Sequence, residues 1–176
     1  IRELMQIQKS IYLIGMMGSG KSYWGQQLSK ATNIPFHDLD ECIEKAASKS
    51  IKAIFEHDGE SAFRLLEKQV LNDTFSFPPA IIATGGGTPC FFDNMEQMNL
   101  YGKTLWLQCD IQTLVKRLLP EMEQRPLLKN MNASSLQDFL AEKLNERTSF
   151  YQQSTFCIHE SEQILSAIIN KISTHE

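Results

Sequence analysis

Residues 15–22 read Gly-Met-Met-Gly-Ser-Gly-Lys-Ser, directly after the apolar run Ile11-Tyr12-Leu13-Ile14. The spacing G-x-x-x-x-G-K-[ST] after a strand and before a helix is that of a phosphate-binding loop. Gly15, Gly18 and Gly20 let the backbone curl so that N–H groups point inward at an anion. A helix opening near Lys21 aims its positive end at the same place. Lys21 is placed to reach the β and γ phosphates of a nucleoside triphosphate, and the Ser22 hydroxyl to bind magnesium. The reading therefore starts from a nucleotide, with Gly18, Ser19, Gly20, Lys21, Ser22 and Tyr23 as its binding residues.

Working outward, apolar segments at 34–38, 80–83, 103–109 and 156–158 read as further strands. Helical patterns fill the intervals. They cover 21–32, 41–48, 51–56 and 58–75, the last with Phe63, Leu66 and Val70 on one face. Another covers 110–119. Ser134 with Gln137 reads as a capping box, opening a helix that carries Leu136, Phe139, Leu140 and Leu144. Ile164, Leu165, Ile168, Ile169 and Ile172 mark a last helix. Strands alternating with helices predict a parallel sheet covered on both faces. Ligands of such sheets bind outside the carboxyl ends of the strands. The stretch 120–133 lacks periodicity and reads as a mobile lid, roughly 118–133.

Size and composition narrow the class. With 176 residues the chain is one domain by ordinary expectation, taken as 5–176, with the four residues before Met5 set aside. A hydrophobic share of 42% and a charged share of 22% fit a soluble globular protein. A net charge of −4 with no basic run argues against a nucleic-acid partner. No apolar run is long enough to span a membrane, and no signal peptide is seen. Cys42, Cys90, Cys109 and Cys157 show no metal spacing and read as reduced, mostly buried thiols in a cytoplasmic protein. His37 beside Asp38 reads as structural or solvent-facing.

The remaining candidates lie after the other strands. Asp38 and Asp40 are two residues apart, which puts both carboxylates on one side if the strand persists. One suits magnesium and the other an acceptor hydroxyl. Alternatively, Asp40 caps a helix opening at Glu41. Asp110 ends a better apolar strand and by apolar pattern alone looks more like the metal acid of an NTPase; the sequence by itself leaves that choice open. Gly85-Gly86-Gly87 either turns N–H groups toward an anion or makes a tight turn. Arg147 has no acidic helix neighbour, which invites an external carboxylate or leaves a plain surface charge. Arg64 has Glu60 and Glu67 within helical reach. Arg125 stands in the lid segment, where an arginine can meet transferring phosphates.

Together these pieces resemble shikimate kinase. The likeness runs in order through 15–22, Asp38-Leu39-Asp40, Ile54-Phe55, Asp58-Gly59-Glu60, Phe63-Arg64, Gly85-Gly86-Gly87, Arg125-Pro126-Leu127-Leu128 and Arg147 with Tyr151. It implies a three-layer α/β/α P-loop kinase fold, of the nucleoside-monophosphate-kinase type, with a five-stranded parallel sheet. It implies phosphorylation of the 3-hydroxyl of shikimate by ATP with Mg2+, on the route to chorismate and aromatic amino acids, by a monomer. By the same resemblance, Asp40 contacts the acceptor hydroxyls, and Asp38 rather than Asp110 organises magnesium. Arg64, Arg147 and the glycine triplet hold shikimate, and Phe55 and Phe63 wall its pocket. Arg125 meets ATP and the transferring phosphate, and Arg117 packs near the adenine. Tyr23, Trp24 and Leu39 depart from the common pattern, where a small hydroxyl residue, a smaller aliphatic and threonine are usual.

Overall fold

β1 (Ser10–Ile14) is buried along its whole length, as a central parallel strand must be. The computed structural model describes residues 8–124 and 128–173. On either side of β1 stand β3 (Ile81–Ala83) and β4 (Gly102–Gln108); β2 (Phe36–Asp38) and β5 (Phe156–His159) form the edges. All four pairings are parallel, in the order β2-β3-β1-β4-β5. The expected five-stranded sheet is therefore present. The second strand is shorter than expected because Pro35, which has no N–H to give a ladder, precedes it.

Helices cover both faces: α1 (Lys21–Thr32), α2 (Leu39–Ala47), α3 (Ile51–His57), α4 (Gly59–Thr74), α5 (Asn94–Tyr101), α6 (Ile111–Leu118), α7 (Ala133–Tyr151) and α8 (Leu165–Ser173). The alternation along β1 sorts the core. Ile11 and Leu13 pack with Leu28, Leu105, Ile168 and Ile172 on one face. Tyr12 and Ile14 pack with Ile43, Phe63, Leu71, Leu114 and Leu140 on the other. Each such fully buried aliphatic contributes about 1.5–3 kcal/mol.

Several local expectations are corrected. The start of α7 is capped by Asn132, not by a Ser134–Gln137 box. Its carboxamide accepts from the Ser135 N–H at 2.9 Å, and Ser135 Oγ in turn accepts from the Asn132 N–H at 2.8 Å. Asparagine is as good a cap as serine, and it stands one residue before the helix. α5 was not expected, since only Met95 and Met98 of its apolar residues are buried and an eight-residue helix gives little period. The aperiodic segment begins as a 3-10 helix over Leu119–Gln124, with Met122 and Leu128 in the core. Ile164 is 60% exposed, outside the buried stripe of α8. Only Cys109 of the four free cysteines is buried.

Candidate active site

A cleft of about 660 Å³ opens at the carboxyl ends of β1, β2 and β3. It is lined by Gly18, Gly20, Lys21, Ser22 and Tyr23 from the loop and the start of α1, by Asp38 and Asp40, and by Gly85 and Gly86. Arg117 of α6 and Trp24 close its other side. Residues from four separate stretches of sequence thus meet in one place, at the position where parallel sheets bind ligands.

The loop owes its path to glycine. Gly15, Gly18 and Gly20 have φ of 139°, 78° and 93°. At Gly15 a Cβ would stand 2.7 Å from the Leu107 carbonyl oxygen of β4, so no side chain fits. Gly20 is the N-cap of α1 and offers no side-chain cap to the helix's first N–H groups. Lys21 bends back over the loop, donating from Nζ to the Gly15 and Met16 carbonyls at 2.9 Å each. Ser19, expected among the nucleotide-binding residues, is kept out of the cleft lining. It is fully buried, its N–H donates to Met16 O at 3.2 Å, and its carbonyl accepts from Cys109 Sγ at 3.8 Å.

The two aspartates differ from the extended arrangement considered above. β2 ends at Asp38, which is the N-cap of α2: Oδ1 accepts from the Asp40 N–H at 3.1 Å. Oδ2 accepts from Ser22 Oγ at 2.7 Å, so this carboxylate also ties α2 to the head of α1. Asp40 is therefore not a cap; it lies in the first turn of α2. Burial, then the neighbouring Asp38 charge, push its carboxyl up to about 6, while Lys21 opposes the rise and Glu67 and Glu44 add to it. Asp110 stands elsewhere: its side chain is 64% exposed and faces His159 Nε2 at 3.3 Å. The Ser22 hydroxyl and the Asp38 carboxylate form an oxygen-only donor pair, which suits a hard cation.

The glycine triplet follows β3, and each glycine faces a different side chain. A Cβ on Gly85 would lie 3.3 Å from Glu67 Oε1 and 3.4 Å from Asp40 Oδ1. On Gly86 it would lie 3.1 Å from Arg147 Nη1, and on Gly87 2.9 Å from Arg64 Nη2. Both arginines thus stand against the triplet, but in different states. Arg64 donates to Glu67 Oε2 at 2.8 Å and Glu60 Oε1 at 3.3 Å, and stacks over Phe91 at 4.0 Å. Arg147 has no carboxylate partner among the described residues; its Nη1 meets the Met16 thioether at 3.9 Å. Phe55 and Phe63 pack ring to ring at 4.6 Å beside Arg64.

Some contributors escaped the sequence reading. Glu67 was noted only as a possible partner of Arg64. It is fully buried, and its second oxygen accepts from Thr88 Oγ1 at 2.6 Å. Tyr151, noted only beside Arg147 in the likeness and given no role there, fixes the triplet by donating to the Gly86 carbonyl at 2.6 Å. Burial holds its phenol well above the usual range, so it stays a donor. The spacing of Glu67 three residues after Arg64, and of Tyr151 four after Arg147, was the available signal. Arg117 Nη1 donates to Gly18 O at 3.1 Å, which ties α6 to the loop. Arg125 lies outside the described residues.

Comparison with known proteins points to one family. The shikimate kinase family model matches residues 17–175. The chain is 38% identical over 165 residues to a shikimate kinase of Parabacteroides distasonis, covering 94% of this chain and 95% of the relative. It is 42% identical over 146 residues to one of Bacteroides fragilis, covering 83% and 82%. A solved shikimate kinase of Bacteroides thetaiotaomicron superposes with a TM-score of 0.85 at 37% identity, over 93% of this chain and 94% of that one. The Acinetobacter baumannii enzyme, solved in complex with shikimate, gives 0.81 at 30% identity, over 94% and 90%. A gluconokinase of Sinorhizobium meliloti, at 16% identity and a TM-score of 0.58, shares the fold alone. With the family model running from Met17, inside the loop, through the triplet and Arg147, the chain belongs to the shikimate kinase family.

Proposed function

We propose that this protein transfers the γ-phosphoryl group of ATP to the 3-hydroxyl of shikimate, giving shikimate 3-phosphate and ADP on the route to chorismate and the aromatic amino acids. The observation that carries the reading is Arg147. A guanidinium without a carboxylate partner among the described residues stands against Gly86, in a segment that also borders Asp40. An acceptor bearing both a carboxylate and a hydroxyl fits that pair of groups. Arg64 and the triplet at 85–87 complete the carboxylate grip, and Phe55 and Phe63 wall the ring.

Asp40 accepts the hydrogen bond of the acceptor hydroxyl and orients it in line with the γ phosphorus. As the oxygen–phosphorus bond forms and the bond to the ADP oxygen breaks, the hydroxyl proton passes to this carboxylate. A carboxyl raised to about 6 is still ionised at neutral pH and is a better proton acceptor than an ordinary aspartate. Phosphoryl transfer needs alignment and charge neutralisation more than a strong base. Lys21 swings from the Gly15 and Met16 carbonyls to the phosphates, the N–H groups at Gly18, Gly20, Ser22 and Tyr23 cradle them, and Arg125 of the 118–133 segment meets the transferring phosphate. Arg117 packs near the adenine. Ser22 and Asp38 are the residues that would hold Mg2+, which supplies charge neutralisation on the phosphate oxygens. Residues 5–176 act as one catalytic domain, monomeric and cytoplasmic. Among the described residues no helix is long and apolar enough to cross a membrane.

ADP release measured against shikimate, quinate and gluconate tests the reading. Turnover with shikimate is expected to exceed the other two by orders of magnitude. No turnover with millimolar shikimate would overturn it.

A further inference from the structure

Trp24 is placed where the sequence departs from its relatives' pattern, and the structure gives it a fixed setting. The indole lines the cleft beside Tyr23 and Arg117. Its Nε1–H donates to Gln163 Oε1 at 3.2 Å. Gln163 is only 8% exposed, and its Nε2 donates to Gln108 O at 3.2 Å and Ile158 O at 3.4 Å, at the ends of β4 and β5. A carboxamide bonded at both ends in this way cannot turn, so it sets the angle of the indole.

The order of the sheet says what the indole faces. Asp40 stands with Gly85, after β3, on one side of the loop; Arg117 reaches Gly18 O from α6, after β4, on the other. A triphosphate in the loop with its last phosphorus toward Asp40 leaves its nucleoside on the β4 side. There the cleft is lined by the Trp24 indole, which the Tyr23 ring meets edge-on with centroids 5.1 Å apart, and by the Arg117 guanidinium, so one aromatic face and one planar cation are available to a heteroaromatic base.

We propose that Trp24 contacts the base of the bound nucleotide and that Gln163 is the residue positioning it. This rests on the nucleotide half of the reading above and is independent of which acceptor is used.

The test compares binding of ADP with binding of inorganic tripolyphosphate, which has no base, by calorimetry. In Trp24→Phe the dissociation constant for ADP rises about three- to tenfold, while that for tripolyphosphate stays within twofold. Gln163→Met shows the same split. Equal weakening of both ligands in Trp24→Phe would overturn the proposal, since the indole would then only brace the loop; unchanged ADP binding would overturn it too. If Gln163→Met does not fold, a Trp106→Phe protein leaves Trp24 as the sole tryptophan. ADP must then shift its emission and tripolyphosphate must not; an identical response to both overturns the assignment. Absence of turnover with shikimate, together with the ADP split, defeats the acceptor reading and leaves this one standing.

Discussion

The phosphate loop and the acceptor pocket share a cleft, yet they are built in opposite ways. The loop is eight consecutive residues, and its shape comes from backbone: three glycines at positive φ and a helix start without a side-chain cap. The pocket is assembled from side chains of α2, α4 and α7 around the triplet, and its fixed points are a buried ion pair and a buried phenol. The loop's path is specified mainly by its own residues, with Leu107 of β4 and Arg117 of α6 pressed against it. The pocket exists only once distant elements have packed. A change in the loop should therefore injure the donor alone, and a change in the pocket the acceptor alone.

Lys21→Ala is the largest expected effect. Single-turnover rates should fall about 10²–10³-fold, as for loss of one preorganised charge at a transition state. Shikimate affinity by direct titration should stay within twofold; a matching loss there breaks the division. Arg147→Ala comes next and runs the other way. Loss of a charge-assisted contact worth about 1.5–3 kcal/mol weakens shikimate binding about 10–100-fold, with ADP binding unchanged.

Asp40 sharpens the comparison, because it is the acceptor-side group that feels Lys21. Its ionised form is needed, so kcat/KM should rise as pH passes upward through about 6. The stability sign is opposite. The folded value lies above 3.8, so the group's contribution to folding is complete below 3.8 and is lost as pH rises through about 6. Asp40→Asn should therefore be more stable than the parent at pH 7, and the gap should close toward pH 4 in denaturant titrations. A constant gap would contradict the raised value. Asp110→Asn is the smallest effect. The side chain is exposed and outside the cleft lining, so stability should change by less than about 0.5 kcal/mol and magnesium dependence not at all. A collapse of magnesium dependence would move the metal role to Asp110.

The same contrast governs how much could be read from sequence. The path of the loop was legible, because its spacing is its structure, but not that Ser19 would be buried outside the cleft. The sheet was legible because buried parallel strands leave apolar runs. Legibility failed where chemistry depended on neighbours distant along the chain. Pattern could not choose between Asp38 and Asp110; the choice leans on Ser22, sixteen residues before Asp38, which hydrogen-bonds to it. Arg64 looked half-committed to its helix neighbours, and it is bonded to both of them. What no period reveals is that Glu67 is also held by Thr88, and that Arg64 lies over Phe91. Even the cap of α7 was misplaced, since Asn132 and Ser134 are both good caps and only the backbone decides between them.

The triplet at 85–87 has a consequence for how this pocket can change over generations. Its walls meet through three missing side chains. A terminal guanidinium would ordinarily step aside for a new methyl group, but Arg64 is clamped between Glu67 and Phe91 and cannot. Enlarging Gly87 therefore collides with a partner that is itself held, whereas Gly86 faces Arg147, which no carboxylate among the described residues holds. The α4 side of the grip cannot drift by single substitutions. A descendant that served a different acid would have to change Gly87 together with the Arg64 clamp, which makes this side of the pocket a slowly inherited trait while the rim of the cleft around Tyr23 and Trp24 stays open to variation.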